Sequence, residues 1–369
     1  MIKDGHIGYN GWICLVVLTQ TVKIFDASSH LLVEKGGQTA WIISLIGGGF
    51  NLLFVYAVIR FMRSNPGESF LTILQTKVGN WASKLYGVNV FMLMIVSGFL
   101  HLRLSIDQIK IVTMPNTPFS VILLLILGLV VLLVVKGIET LSRMAATLVP
   151  WLVLMYFTLV VLLYQHLSLY NISPLLGPGI IQLVKKGISH SLYFGEPLGL
   201  CLLANLVREQ KDFEKGLWRG TIYSVLMISG LVLVYQLAMG TPSSVNITFP
   251  FVEMTRYIYV NRFIQHLEGF YATIWLMMDF TQMGINMFFI TYIFCTIFSV
   301  SHYRPLAIGF ASLYFLLALS PTFFYQTLIW ERELIKWGGV FHLWHAFSIW
   351  ILGDLQAKRF LSLVACPFY

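Results

Sequence analysis

Apolar residues run in long blocks along the whole chain, interrupted by short clusters of polar and charged positions. A helix needs about 20 mainly apolar residues to cross the hydrocarbon of a bilayer. Scored on that length, the blocks predict ten spans, at about residues 9–32, 40–60, 81–102, 119–135, 144–164, 187–206, 221–239, 269–300, 304–324 and 335–352. The first of these is itself interrupted. Trp41, Trp81, Trp151 and Trp218 fall close to predicted span ends, where an interfacial aromatic belt places them.

Composition agrees with that pattern. Of 369 residues, 57% are hydrophobic and only 11% charged, whereas a soluble domain is nearer one-quarter charged. Ten spans with short connections use up the chain, so the expectation is a single all-α polytopic transmembrane domain with no soluble module. The net charge of +8 is no footprint for nucleic acid, because the Lys and Arg are scattered between apolar blocks. They are better read as topology signals. Of the 24, fourteen fall on the side of the N-terminus, nine on the other, and Lys23 inside a span. That bias predicts a cytoplasmic N-terminus, and an even number of spans returns the C-terminus to the same side. Cys14, Cys201, Cys295 and Cys366 show no metal or disulfide spacing and read as small core residues. The first apolar run continues into a span without a cleavage-like site, so no secretory leader is expected. Two connections differ from the rest. Residues 208–219, REQKDFEKGLWR, read as a solvated cytoplasmic turn. Residues 240–268 read as either a short interfacial helix or a cap over a site.

Function is sought where the apolar rule is broken, because a charge at mid-membrane costs about 2.5–3.5 kcal/mol on insertion scales and needs a partner or a wet cavity. In the first span, Thr19, Gln20 and Thr21 precede Lys23, Asp26, Ala27, Ser28, Ser29 and His30. Ser and Asp compete with helical pairing, so a broken helix is expected here. Lys23 and Asp26 share a face at i, i+3, either as a self-compensating pair packed on a neighbour or as a pair facing a ligand. In the sixth span, Gly195-Glu196-Pro197 puts a helix breaker and a carboxylate together. It serves either as a plain kink or as a ligand or proton site. Interrupted first and sixth spans are what two five-helix halves of inverted topology produce, with half-helix ends holding an ionic substrate at the midplane. Other intramembrane candidates are Arg103 with Asp107 near the end of the third span, and Asp279 in the eighth. Gln282 and Asn286 extend Asp279 into a polar stripe that either fixes packing or faces a site. His342 and His345 near the last span read as interfacial, with a proton relay the lesser alternative. No nucleophile elbow, P-loop or metal cluster is present in the sequence, so neither an enzyme nor a cofactor is expected.

The sequence resembles the B-subunit family of spore germination receptors, a branch of the amino acid–polyamine–organocation transporter superfamily. Thr19-Gln20 with Gly37-Gln38-Thr39-Ala40-Trp41-Ile42 resembles the family's first span and the start of its second. Pro66-Gly67-Glu68-Ser69 with Val78-Gly79-Asn80-Trp81 resembles its first cytoplasmic connection. Met114-Pro115-Asn116-Thr117-Pro118 resembles a Leu-Pro-Arg-Thr-Pro-like element, with Asn116 where Arg is usual. Glu139 with Arg143, Pro174-Leu175-Leu176-Gly177-Pro178-Gly179 and Tyr303-Arg304-Pro305 follow in order. The series runs over roughly residues 7–320.

The resemblance implies a leucine-transporter-type fold, with repeats at about 7–166 and 185–353 and a cytoplasmic tail at 354–369. It implies a subunit of the inner spore membrane that works with an A-type membrane subunit and a C-type lipoprotein and senses a small nutrient such as an amino acid. The ligand is expected between spans one, three, six and eight. Its expected contacts are Thr21, Lys23, Asp26, Ala27 and Ser28, then Arg103, then Phe194, Gly195, Glu196 and Pro197, and Asp279. The first span departs from the family. Val22-Lys23-Ile24 and Ser29 stand where Gly-x-Gly and a later Pro are common, and Lys23 is expected to supply a positive charge there or to replace a coupling cation. A proton-coupled amino acid transporter is the alternative, and an assembly subunit without ligand binding a third.

Overall fold

The computed structural model describes residues 5–63, 67–177, 179–240, 247–259, 267–338 and 349. Helices dominate, and no named strand occurs among the described residues. The first span opens as α1 (Tyr9–Thr21), whose end loosens where hydroxyls turn back on the backbone: Thr19 donates to the Leu15 carbonyl at 2.9 Å and Thr21 to that of Val17 at 2.6 Å. A 3-10 turn follows at Val22–Phe25, and α2 (Ser28–Gly36) resumes the span. The break is satisfied from within. Asp26 accepts the Ser28 N–H at 2.7 Å, Ser28 donates its hydroxyl to the Lys23 carbonyl at 3.0 Å, and Gln108 donates to the Phe25 carbonyl at 3.0 Å.

Among the described residues, six helices are long and apolar enough to cross a membrane, or seven with one bent pair. They include α3 (Ala40–Met62), continuous with α2 in that measure, and, after the short α4 (Phe70–Val78), α5 (Asn80–Val112), α6 (Phe119–Lys136) and α7 (Ile138–Leu163). The sixth span is broken as expected: α8 (Ile180–Ser189), a 3-10 turn at Ser191–Phe194, α9 (Pro197–Leu200) and a further 3-10 turn at Cys201–Leu206. Pro197 takes the first helical position of α9, where its missing N–H costs least. Beyond it come α10 (Gln210–Met239), α11 (Pro250–Arg256), α12 (Glu268–Phe298), α13 (Arg304–Leu319) and α14 (Phe324–Gly338). Length and composition therefore score fewer than the ten spans expected, because interrupted spans fail a test for one straight helix.

Three boundaries depart from the sequence reading. Residues 208–219 are no solvated turn, since α10 begins at Gln210. Phe213, Gly216 and Leu217 share a buried face there, and Phe213 stacks on Trp12 with ring centroids 5.6 Å apart. The ninth span ends at Leu319 rather than 324. Pro321 lacks the N–H that would continue the helix, and the chain turns by 113° into α14. The predicted tenth span overlaps α14 only at its start, and its remainder, with His342, His345, Cys366 and the tail, lies outside the described residues except for Ile349. Within 240–268, a short helix does form: α11 buries Phe251, Val252 and Met254.

Close approach of small residues sets the packing, as expected where lipid removes the hydrophobic drive between helices. Gly220 of α10 leaves room for Val16 of α1, and Gly47 of α3 admits the backbone of α8 at Gly187. Trp12 donates its indole N–H to the Phe213 carbonyl at 3.1 Å, and Gln20 donates to Thr221 at 3.2 Å, so α1 is keyed along α10. Ile7 exchanges backbone hydrogen bonds with Leu206 and Arg208 at 2.8 and 3.0 Å, which ties the start of the first span to the end of the sixth. On α6 and α7, large apolar side chains such as Leu124, Leu132, Phe157 and Val161 remain exposed, a surface suited to lipid.

Candidate functional site

The two interruptions meet. Lys23, in the 3-10 turn of the first span, and Glu196, immediately before Pro197 in the sixth, form an ion pair with Nζ 2.5 Å from Oε1. Both side chains are largely buried, at 14% and 16% exposure. The Lys23 ammonium also stands 4.6 Å from the centroid of the Tyr193 ring, and the Tyr193 hydroxyl donates to the Lys23 carbonyl at 3.5 Å. Gly195 permits this turn, because a Cβ there would stand 2.7 and 2.9 Å from the Leu192 side chain and carbonyl.

The pair forms one wall of a cavity of about 70 Å³, room for several waters or a small molecule. Its polar lining comes from Lys23, Tyr193 and Glu196 on the broken spans, Ser97 and His101 on α5, Gln282 and Asn286 on α12, Tyr314 on α13 and Glu331 on α14. Met94, Val130, Met287 and Phe289 are among the apolar lining residues. The Tyr314 hydroxyl donates to Asn286 Oδ1 at 2.8 Å, and Gly98 of α5 leaves the space those two groups occupy. Several buried acceptors on this wall have no hydrogen-bond donor among the described residues: Oε2 of Glu196, Oε1 of Gln282 and Oε2 of Glu331.

Behind the wall lies a second charged group. His101 stands between two fully buried carboxylates, with Nδ1 3.0 Å from Oδ2 of Asp26 and Nε2 2.8 Å from Oδ1 of Asp279. Neutral imidazole has one donor, so engaging both carboxylates requires the imidazolium or one protonated carboxyl. Among the described residues, no group of three or more His, Cys, Asp and Glu is arranged to hold a metal ion.

Of the positions singled out in the sequence, Lys23, Gly195, Glu196, Gln282 and Asn286 line the cavity. Asp26 and Asp279 reach it through His101. Thr21, Ala27, Ser28, Phe194 and Pro197 do not line it: they hold the two breaks, Thr21 and Ser28 by the hydrogen bonds above and Ala27 by packing on Leu104 and Leu328. Arg103 does not line it either. Its Nε donates to Asp107 at 2.8 Å, one terminal nitrogen donates to the Ala318 carbonyl at 2.8 Å, and the guanidinium lies 4.1 Å from the Phe119 ring centroid. Lys23 and Asp26 do not pair with each other, since each has found a partner on another span. Sequence reasoning missed His101, Tyr193, Tyr314 and Glu331. His101 had a signal, an ionisable side chain two residues before Arg103 inside an apolar block. Glu331 had none, because it fell in a predicted connection between spans.

Comparison with known proteins adds an independent line. A profile described as spore germination protein matches residues 11–330. Spore germination protein KB of Bacillus subtilis (strain 168) is 24% identical over 280 residues, covering 72% of this chain and 73% of that protein. Spore germination protein YndE of the same organism is 21% identical over 251 residues, covering 67% and 69%. Among solved structures, Mhp1, a nucleobase-cation-symport-1 family transporter in a closed conformation with bromovinylhydantoin bound, superposes with a TM-score of 0.64 at 14% identity, over 90% of this chain and 75% of that one. A mutant manganese transporter of Eremococcus coleocola gives a TM-score of 0.60 at 10% identity, over 98% and 88%. The all-α polytopic fold is thus of the leucine-transporter type, with its first and sixth spans interrupted.

Proposed function

This chain belongs to the spore germination protein family, and from that premise we propose that it acts as the B-type subunit of a nutrient germinant receptor. It binds a small nutrient such as an amino acid in the midplane cavity and signals to partner subunits. One observation carries the reading: the charges of two interrupted helices, Lys23 and Glu196, meet at 2.5 Å on the wall of a cavity. Had those charges served only to hold neighbours together, a void bordered by further unpartnered polar atoms would be a cost without a return.

A ligand shifts an equilibrium only between states that it binds unequally. Occupancy that alters the Lys23–Glu196 contact changes how the two broken spans sit on each other, and that tilt is the signal passed outward. The partners are an A-type membrane subunit and a C-type lipoprotein in the inner spore membrane. Interruptions at corresponding places support two repeats, about 7–166 and 185–353. A cytoplasmic N-terminus is supported by the charge count, fourteen basic residues on its side against nine on the other.

The test is Lys23→Met in spores that depend on this chain for their nutrient response. The response is lost while the protein accumulates and still co-purifies with its A-type partner; an unchanged response discards the reading. Uptake of labelled nutrient into proteoliposomes by the chain alone favours the proton-coupled transporter instead, for which His101 between Asp26 and Asp279 is the residue group to examine.

A further inference from the structure

We infer that the cavity is built for a ligand whose dominant charge is a protonated amine, held by Glu331 and the free edge of Glu196. The inference rests on the reading of this cavity as the ligand site and narrows the class of nutrient.

The first argument is charge. Lys23 and Glu196 cancel each other. His101 as an imidazolium offsets only one of Asp26 and Asp279. Glu331 then forms no ion pair among the described residues: Arg332 and Lys336 on its helix are taken by Glu34 at 2.6 Å and Glu333 at 3.3 Å, and Lys23 and His101, which act on it across the cavity, are engaged by Glu196 and by Asp26 and Asp279. Buried negative charge is therefore in excess around the cavity, and such an excess calls for a cation or for protons.

The second argument is hydrogen bonding, and it is independent of the first. An alkylammonium group has three N–H donors and no acceptor. The cavity presents three buried oxygens without donors, Glu196 Oε2, Glu331 Oε2 and Gln282 Oε1, and Gln282 as a whole is only 8% exposed. On the same wall the Lys23 ammonium and both tyrosine hydroxyls already have acceptors, and the donors left are neutral, the amide N–H groups of Gln282 and Asn286 and the Ser97 hydroxyl. Lys23 donates to Glu196, Tyr314 to Asn286, and Tyr193 to the Lys23 carbonyl. A ligand carboxylate would have to share the Lys23 ammonium with Glu196 and would face the excess acid. An amine meets waiting acceptors, and the neighbouring Met94, Val130 and Phe289 receive an alkyl body.

The experiment uses the full chain in lipid nanodiscs and four probes that share a propyl tail: butylamine, butyramide, butyrate and norvaline. Binding is read by calorimetry or by the shift in melting temperature. Butylamine is expected to bind at least tenfold more tightly than the other three, and Glu331→Gln to remove most of that preference while leaving the weak binding of butyramide. Tighter binding of butyrate or norvaline overturns the amine assignment and leaves the cavity as a ligand site. Equal stabilisation by potassium or sodium chloride alone, lost in Glu331→Gln, overturns it in favour of an inorganic cation. No binding by any probe sinks the ligand-site reading itself. Should Glu331→Gln fail to accumulate, the ranking of the four probes on the unaltered chain decides, with Gln282→Leu as the second variant.

Discussion

Lys23 and Glu196 are 173 positions apart in sequence, yet their charged groups lie 2.5 Å apart. Each sits where its helix has been interrupted, so the ion pair joins two places at which regular backbone pairing has been given up. Removing one partner orphans a charge that is about 85% buried. Lys23→Met and Glu196→Gln should each lower stability by about 1–3 kcal/mol, toward the low end because the adjoining cavity admits water to the orphan. The double variant should recover part of the loss. Thermal melting of the four proteins in one detergent gives the coupling, and additive losses would show that the pair contributes nothing of its own.

Gly195 bears on the same joint from the backbone side. A methyl group there meets the Leu192 carbonyl at 2.9 Å, and backbone cannot move aside as a side chain can. Gly195→Ala should therefore displace Glu196 and cost about 1–3 kcal/mol. Ligand affinity should fall further than the melting temperature alone accounts for. A variant that melts lower but binds unchanged would mean that the turn is merely structural.

Arg103 separates two uses of a buried charge. Its guanidinium bonds Asp107 through Nε and the Ala318 carbonyl through a terminal nitrogen while lying over Phe119, so it joins α5 to the end of α13 and the start of α6. A lysine ammonium cannot serve both directions from one planar fork. Arg103→Lys should lower the melting temperature by an amount equivalent to about 1.5–3 kcal/mol, the usual scale for a lost charge-assisted hydrogen bond. Ligand affinity should stay within twofold. A tenfold loss of affinity with normal melting would move Arg103 into the site.

How much was legible in the sequence follows from the range over which each signal acts. Apolar blocks and the breaks at 22–27 and 195–197 are local, and they appear where hydroxyls, Asp26, Gly195 and Pro197 predicted them. Partner choice is not local. Lys23 and Asp26 looked like a pair at i, i+3, but the 3-10 turn between them sends Lys23 across to Glu196 and leaves Asp26 to His101. The start of α10 was hidden by its charged residues, whose buried side, Phe213 and Leu217, shows only once Trp12 is beside it. Glu331 falls in a predicted connection because its stretch is too polar to score as a span. The bend after Leu319 is what brings α14, and Glu331 with it, to the cavity.

His101 supports the last prediction. It keeps Asp26 and Asp279, both 0% exposed, from facing each other unshielded, and it links the broken first span to α12 through α5. Like charges confined together in a poorly solvated place cannot both remain ionised at low cost. His101→Leu should therefore accumulate poorly and melt well below the unaltered chain, by an amount equivalent to about 3 kcal/mol or more. Adding Asp279→Asn to His101→Leu removes one of the two charges and should restore much of the yield, although Asp279→Asn alone should destabilise. That reversal of sign is the diagnostic. If the double variant is worse than either single one, the two carboxylates do not communicate through the imidazole, and His101 is a packing residue that happens to stand between them.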